Sequence, residues 1–447
     1  MLPKGNPTGT GHDAYEALRS PNFRFLIAGS FLNSLATAIL SVIVGFELYD
    51  RTGSALALGM VGLVQIVPNV LLSIPAGQIV DRYDQKRIAV IALAVNSSAA
   101  LGLAWLTHSV GPLPLIYACL FVIGTGRAFL SPTRGTLLAA VVNEGTFSNA
   151  AAWSSSANQV AMITGPAVGG IAVGLMDNAA PVFAMAGGLL AISAFTFSRM
   201  HPRQMKRSPE PVSKESLLAG ITFIYSRKVL LAAITLDMVA VLLGGATALL
   251  PIFAKDVLHV GAMGLGIMRA APALGAVLTS IAIAHKGPFL RAGRSLLLTV
   301  TCFGIATIIF GFSTWMPLSL VALMFLGVFD SISVVIRNTL QLTYTPDHMR
   351  GRVSAIHFVF IGMSNEFGEF ESGLAATLLG ATTAVILGGF GTILVVPIIA
   401  LIWPEVRRLR EIKIPDDPEF SALRAPAARP TEKTIPEHGD HKREPSP

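Results

Sequence analysis

Eight ionisable residues stand inside long apolar runs of this sequence. They are Arg127, Asp237, Arg269, Asp330, Arg337, Glu366, Glu369 and Glu371. A charged side chain at the centre of a bilayer costs at least about 2.5 kcal/mol, so each residue needs an ionic partner, a watery cavity or a function. Groups in such places can pair with one another, contact a cargo molecule or exchange protons.

Three of the acidic residues share one run. Glu366 and Glu369 are three residues apart and lie on one helix face, while Glu371 turns away from Glu366. Two carboxylates on one face repel each other when both are ionised, which suits proton exchange. We therefore expect proton coupling or cargo contact at Glu366 and Glu369, with Glu371 a weaker candidate. The alternative is a structural ion pair between one glutamate and Arg127 or Arg269.

The other charges are separate. Asp330 and Arg337 are seven residues apart on one helical stripe, and each is expected to bridge to another helix. Asp237 is the only charge in the middle of its run and is a candidate comparable to Glu369. Glu47 lies near the end of its run, where water is close, and ranks lower.

The apolar runs that carry these residues are numerous. Hydrophobic residues make up 52% of the 447 residues and charged residues only 13%, and the mean hydropathy is +0.63. Water cannot be the main solvent of such a chain. A helix needs about 20 apolar residues to cross about 30 Å of hydrocarbon. The candidate spans are 25–48, 57–80, 87–108, 113–134, 150–175, 179–198, 229–253, 262–284, 294–313, 316–338, 353–378 and 380–403.

Basic residues are distributed unevenly between the loops on the two sides of these spans. One set of loops holds most of them, and the opposite set holds little beyond Arg51 and Lys255. Because cytoplasmic loops are enriched in Lys and Arg, both termini are predicted to be cytoplasmic, in a cell inner membrane. The same rule explains the net charge of +7, and nucleic-acid binding is not expected.

The spans divide the chain into five parts. Residues 1–24 lack an apolar core followed by a cleavage site, so the first span is expected to be retained. Apolar residues at helical spacing near 217–225 predict an interfacial helix, and the polar tail cannot bury a core. The predicted parts are a cytoplasmic segment 1–24, a six-helix bundle 25–198, a cytoplasmic linker 199–228 with the interfacial helix, a second bundle 229–403, and a disordered cytoplasmic tail 404–447.

The two bundles resemble each other in sequence. The segment 62–68 aligns with 266–272, and Gly124 and Arg134 align with Gly327 and Arg337, both at a shift of about 204 residues. A shift of six spans superposes helices of the same direction, which gives a parallel repeat. Two such bundles can rock around a site near the bilayer midplane, and this architecture predicts alternating access.

The loop after the second span carries Gly77, Asp81, Arg82, Lys86 and Arg87. It resembles the G-x-x-x-D-R-x-x-x-[RK] signature of the major facilitator superfamily. The glycine permits close helix approach, and the aspartate can accept hydrogen bonds from a helix N-terminus or a basic residue. We interpret the loop as a cytoplasmic gate; the alternative is a plain basic loop.

A second motif, in the fifth span, consists of Gly165, Pro166, Gly169 and Gly170. It resembles the motif of the exporting, proton-antiporting branches of the superfamily. The small residues allow tight helix packing and the proline bends the helix. Ordinary membrane packing is the alternative interpretation.

Three segments of the second bundle narrow the resemblance to one type of protein within the superfamily. Segments 330–337, 345–355 and 364–373 are similar to those of the enterobactin-exporter type of drug and siderophore efflux proteins, and the likeness covers about residues 20 to 410. It implies an all-α polytopic membrane protein with twelve transmembrane helices in two pseudo-symmetric six-helix bundles. Macrolide-efflux proteins are similar too, so the resemblance does not identify the cargo.

Function follows as an expectation. The segment Asp50-Arg51-Thr52-Gly53 is similar to the phosphorylation motif of ATP-driven pumps, but it has Arg where the motif has Lys. The sequence also has no phosphate-binding loop, so ATP-driven transport is not expected. We expect a secondary transporter, not an enzyme, that exports an amphipathic small molecule such as a siderophore or drug in exchange for protons. Its partners are the lipid bilayer, the cargo and protons; we expect a monomer with no cofactor and no metal. An importer on the same fold and a non-transporting scaffold or sensor are the alternatives.

Overall fold

The computed structural model describes residues 15–176, 178–203, 221–286, 291–410 and 412, and no strand occurs among them. The first half contains six long helices. They are α1 Pro21–Thr52, α2 Ala55–Arg82, α3 Gln85–His108, α4 Leu113–Val141, α5 Phe147–Met176 and α6 Ala180–Ser198. Each matches one of the first six predicted spans to within a few residues at its ends.

The second half repeats the arrangement. Its helices are α7 Lys228–Leu243, α8 Gly261–Lys286, α9 Ala292–Phe312, α10 Met316–Tyr344, α11 Asp347–Leu379 and α12 Ala381–Ile402, followed by a short α13 Pro404–Arg408. The predicted all-α fold of twelve membrane helices is confirmed.

Local sequence explains where the first helices begin and end. Ser20 accepts a hydrogen bond from the Phe23 amide at the start of α1, beside a proline at the first helical position. Gly53 ends α1 in the left-handed conformation, with φ 59°. Asp84 then caps α3 by accepting hydrogen bonds from the Lys86 and Arg87 amides.

Helix α7 is interrupted inside its predicted span. It ends at Leu243, before Gly244 and Gly245, and the chain continues through a 3₁₀ turn Ala246–Leu249, a turn Leu250–Ile252 and a π-helical turn Phe253–Val257. Glycine lowers helix stability by about 1 kcal/mol relative to alanine, which accounts for the break. The whole stretch Lys228–Val257 is long and apolar enough to cross a membrane.

Eleven stretches of the described chain satisfy length and hydropathy limits for a membrane span. Helix α11 is the long helix outside this set, because it contains the acidic residues singled out above. Glu366 and Glu369 line a cavity between the two halves, which makes a charged helix compatible with the bilayer.

The two halves pack in the same pattern. In the first half α1 packs on α5 and α6, α2 on α4, and α3 on α4 and α6. Adding six to each number gives the contacts of the second half: α7 on α11 and α12, α8 on α10, and α9 on α10 and α12. The helices of the two halves therefore correspond one to one.

The aligned sequence segments have equivalent positions in this pattern. A Cβ atom at Gly124 of α4 would meet Pro68 of α2 at 2.9 Å. At Gly327 of α10 it would meet Pro272 of α8. The repeat detected in the sequence thus corresponds to one structural contact that occurs in both halves.

The bundle has two ends, which we name by their chain segments. The terminal end holds the start of α1, the α2–α3 connection and α13; the opposite end holds the α1–α2, α7–α8 and α11–α12 connections. Every span runs between these two ends.

The predicted linker and the predicted tail lie partly outside the described residues. The linker prediction falls mainly on 204–220, outside the described residues. Residues 221–226 are helical, and Ile224 is buried against Met349, Val353 and Ile356.

The prediction of disorder from residue 404 onward is wrong for its first residues. Helix α13 packs on α9, where the amides of Ala292 and Gly293 donate to carbonyls of Arg410 and Leu409, because these helix-terminal N–H groups need partners.

Candidate functional site

A cavity of about 120 Å³ lies between the two halves. Its walls come from α1, α2 and α4 of the first half, and from α8, α11 and the turn after α7 of the second. Its charged and polar lining residues are Thr37, Ser41, Gln65, Arg127, Arg269, Glu366 and Glu369. Four of the seven ionisable residues proposed from the sequence as site candidates therefore meet at one place.

One ion pair in this cavity joins the two halves. Nη1 of Arg127 on α4 lies 2.9 Å from Oε1 of Glu366 on α11 and donates a hydrogen bond to it. The Glu366 side chain is 11% exposed and that of Arg127 is 49% exposed. Such a pair persists in a low-dielectric site only because each charge compensates the other.

The second glutamate and the second arginine stand beside this pair. The charge of Glu369 interacts with Arg269 most strongly and then with Arg127. The Nε atom of Arg269 is buried and has no hydrogen-bond partner among the described residues. The cavity thus contains two carboxylates and two guanidinium groups, with donor capacity left over.

Glu371 is placed differently. It does not line the cavity and interacts with the neighbouring Ser372. Glu371 therefore lies away from the face of α11 that carries Glu366, as the helical spacing predicts.

Asp237 is not isolated in the structure. It forms an ion pair with Arg337, which joins α7 to α10 within the second half. Buried His357 on α11 lies within electrostatic range of Arg337; sequence reasoning did not single out this histidine. Asp330 of α10 is exposed and forms no ion pair among the described residues.

The halves touch at the opposite end. A Cβ atom at Gly62 of α2 would lie 2.6 Å from the Glu366 carbonyl oxygen, and one at Gly266 of α8 would lie 2.6 Å from the Pro166 carbonyl oxygen. Gly62 and Gly266 are the aligned residues of the repeat. The interface therefore consists of two equivalent helix crossings, α2 on α11 and α8 on α5, and each requires glycine for backbone contact.

The same helix faces are apart at the terminal end. Gly59 of α2 contacts Gly373 of α11. Five turns along α2 the same face holds Gly77, and about three turns back along α11 the same face holds Gly362. Among the described residues, neither has an atom of another segment within 4 Å of where its Cβ would be. The two faces have separated there, so the close approach expected at Gly77 does not occur in this conformation.

The motif in α5 serves two interfaces. At Gly165 a Cβ would lie 3.1 Å from the Leu35 carbonyl oxygen, and at Gly169 it would lie 3.3 Å from Ile39; both contacts are with α1 of the same half. Pro166 and Gly170 instead meet Gly266 of the other half.

The gate motif is only partly described. Arg82 is exposed, and Arg87 forms an ion pair of 3.5 Å with Asp84, which also caps α3 through the Lys86 amide. The side chain of Asp81 lies outside what the structure describes. The prediction for Asp81 therefore stays a prediction, and the cap of α3 comes from Asp84.

A polar contact that sequence reasoning missed closes the opposite end. Nζ of Lys255 lies 2.6 Å from Oδ1 of Asp50, and the Tyr49 hydroxyl donates a hydrogen bond to Asp256. Together these contacts join the end of α1 to the π-helical turn after α7. The scarcity of charges in the loops at this end was the available signal, since both Lys255 and Asp50 are among the few.

A membrane protein with two equivalent bundles and a charged cavity at their interface has the architecture of a membrane transporter. The family model of the Major Facilitator Superfamily matches residues 26–368. The chain is a member of that superfamily and is a transporter, not an enzyme.

Two characterised relatives cover nearly the whole chain. The enterobactin exporter EntS of Shigella flexneri is 25% identical over 405 residues, covering 88% of this chain and 94% of the relative. Macrolide efflux protein A of Streptococcus pyogenes is 24% identical over 404 residues, covering 88% and 97%.

Among solved structures, a bacterial homologue of the human lysosomal transporter Spinster, in an inward-facing and occupied conformation, is similar. It has a TM-score of 0.68 and 12% identity, and the match covers 89% of this chain and 98% of that one. This likeness supports the fold.

Proposed function

We propose that this transporter exports an amphipathic small molecule, such as a siderophore or a drug, in exchange for protons. The carrying observation is the cluster of Glu366, Glu369, Arg127 and Arg269 in the cavity between the halves. The names of the two relatives, an enterobactin exporter and a macrolide efflux protein, favour export.

Protonation of the cluster gives a physical route to coupling. A proton on Glu366 removes the negative charge that holds Arg127, and the ion pair between α4 and α11 weakens. Since these helices belong to different halves, the halves then separate more easily around the cavity. Proton binding from one side and cargo release to that side would thus be linked to the same rocking motion.

The basic loops lie at the terminal end and support a cytoplasmic position for it in a bacterial inner membrane. The conformation described, closed at the opposite end, is then inward-facing. Its cavity of about 120 Å³ is smaller than the roughly 300–1,000 Å³ of sites that hold drug-sized ligands, so cargo binding must widen it.

Closure of the terminal end completes the cycle. The faces of α2 and α11 that meet at Gly59 and Gly373 would separate, and the faces at Gly77 and Gly362 would meet. The gate motif beside Gly77, with Asp81 and Arg82, would stabilise that second state.

The test uses everted membrane vesicles that contain the full chain. Glu366→Gln, Glu369→Gln and Asp237→Asn are compared with wild type for proton-driven uptake of a macrolide and of a catecholate siderophore. We expect Glu366→Gln and Glu369→Gln to lose proton-driven transport, because glutamine cannot exchange a proton.

The matched control is Glu371→Gln, which removes the same charge from the same helix outside the cavity. It should keep most of the transport. Full proton-driven transport in all three test variants would contradict the coupling, and wild-type vesicles that move neither compound against a gradient would contradict export.

A further inference from the structure

Arg134 of α4 and Arg337 of α10 occupy equivalent positions in the two halves. Arg337 forms an ion pair with Asp237 of α7. At the shift of 203 residues that relates Arg134 to Arg337, Asp237 of α7 aligns with Ser34 of α1, next to Asn33. The first half therefore keeps the arginine of this pair but has neutral side chains in place of its carboxylate.

The surroundings of Arg134 are polar but do not neutralise it. Its Nη2 atom lies 3.5 Å from Oγ of Ser34, which in turn donates a hydrogen bond of 2.8 Å to Oδ1 of Asn158. None of the ion pairs among the described residues includes Arg134, and the charge that acts on it is the positive Arg127. A guanidinium in the membrane interior is costly without a counter-charge.

The position of Arg134 connects it to the cavity. Arg134 is two helical turns, about 10 Å, from the cavity-lining Arg127 and on the same face of α4. Ser34 continues the stripe of α1 on which Thr37 and Ser41 line the cavity. Arg134 thus lies on the cleft face, between the cavity and the separated terminal end.

We propose that Arg134, with Asn33, Ser34 and Asn158, binds an anionic group of the cargo. A carboxylate, phenolate or sulfonate of the cargo takes the place that the Asp237 carboxylate fills in the other half. Guanidinium groups bind such oxygens through two parallel hydrogen bonds. This inference deepens the proposed transport function and rests on it.

The other cavity arginines do not compete for this role. Arg127 pairs with Glu366, and the charge of Glu369 faces Arg269. While the two glutamates are ionised, Arg134 is the cleft cation of the described residues that lacks a carboxylate. An anion can therefore bind at Arg134 in the deprotonated, inward-facing state without displacing the proton-binding groups.

The experiment compares ligands that differ only in charge. Purified full-length protein in detergent is titrated with 2-naphthoate and with the neutral 2-naphthamide, and apparent affinity is measured from the rise in melting temperature. Wild type should bind the naphthoate about tenfold or more tightly than the amide, the effect of a charge-assisted hydrogen-bonded group. Equal affinity of wild type for the two compounds would overturn the proposal.

The decisive variant is Ser34→Asp, which places a carboxylate beside Arg134 at the position where the other half has Asp237. It should fold with an unchanged or higher melting temperature and lose the preference for naphthoate. Asn96→Asp is the matched control, because Asn96 is buried in the same half and packs against Gly126, away from Arg134. It should keep the preference.

Arg134→Gln gives an independent measurement if either aspartate variant fails to fold. It should bind naphthoate and naphthamide equally. Retention of the naphthoate preference in Ser34→Asp or in Arg134→Gln would overturn the anion site. Vesicle transport is measured separately, so an inactive wild type with the predicted ligand preference would refute the transport proposal and leave the anion site standing.

Discussion

The two halves of this transporter share their helix contacts and differ in their charges. In the first half, the span interiors hold Arg127 and Arg134, and acidic residues occur only near helix ends or in loops. In the second half, the interiors hold Arg269 and Arg337 together with five acidic residues, Asp237, Asp330, Glu366, Glu369 and Glu371. One half is therefore basic and the other acidic at membrane depth.

This difference separates the contribution of the repeated backbone contacts from that of the charges. The backbone crossings at Gly62 and Gly266 are equivalent and give both halves the same hinge geometry. The charges are not equivalent, and they attract each other across the interface through Arg127 and Glu366. Symmetric packing suits the proposed rocking motion, and asymmetric charge suits its proposed coupling to protons.

The largest expected effect concerns the buried pair of the second half. Asp237→Asn replaces the carboxylate by a neutral group, as in the first half, and leaves Arg337 buried without its carboxylate. We expect a loss of about 3–5 kcal/mol in unfolding free energy, the usual cost of breaking a buried ion pair from one side. Thermal melting in detergent measures it.

The double variant Asp237→Asn with Arg337→Gln should recover part of that loss, since no uncompensated charge remains. If Asp237→Asn alone melts like wild type, the two halves do not differ in this respect and the contrast between Arg134 and Arg337 is wrong.

The next effect concerns the equivalent glycine crossings. Gly62→Ala and Gly266→Ala each place a methyl group against backbone atoms of the other half. Overpacking costs about 1–3 kcal/mol, which would shift the conformational equilibrium roughly 5–150-fold away from the state closed at the opposite end. Labelling of a single cysteine in the cavity by a membrane-impermeant reagent added at the opposite end would report the shift.

Gly188→Ala provides the control, because a Cβ at Gly188 of α6 meets nothing within 4 Å. Its labelling should match wild type. A shift at only one of Gly62 and Gly266 would show that the two crossings are not functionally equivalent.

A smaller effect is expected at the polar contact between α1 and the turn after α7. Lys255→Gln removes the ion pair with Asp50. The Lys255 side chain is 40% exposed and the Asp50 side chain is 54% exposed. An exposed ion pair contributes about 0.2–1 kcal/mol, so opening at the opposite end should increase by at most about fivefold.

The exchange variant Asp50→Lys with Lys255→Asp should restore the wild-type labelling rate. An increase that the exchange does not reverse would mean that Lys255 acts through its contact with the Tyr49 ring and not through the pair.

The smallest effect is predicted outside the membrane, where α13 meets α7. The backbone amide of Glu405 and its hydrogen bond with Lys228 lower the pKa of this carboxyl below its ordinary value. A lowered pKa stabilises the folded state at neutral pH, and the contribution disappears as the pH falls through the folded-state pKa. Glu405→Gln should change the melting temperature only slightly at pH 7, and not at all at a pH below that value.

Much of this description follows from the sequence. Apolar runs of membrane length located the twelve helices, and the shift of about 204 residues between Gly62 and Gly266 revealed the two halves. The reason is that the bilayer imposes length and polarity on each span separately, so the information is local. The spacing of Glu366, Glu369 and Glu371 likewise sorted them by helix face, since helical periodicity is local too.

The tertiary structure decided which charges meet. Local sequence cannot show that Arg127 pairs with Glu366, 239 residues away, or that Asp237 pairs with Arg337, because both pairs depend on helix packing. It also cannot show which end of the bundle is closed. Gly59 and Gly77 are both glycines on one face of α2, and they differ in what packs on them. The sequence determined the helices and their two-fold repetition; packing between the halves determined the candidate site, because that site is made of side chains from both.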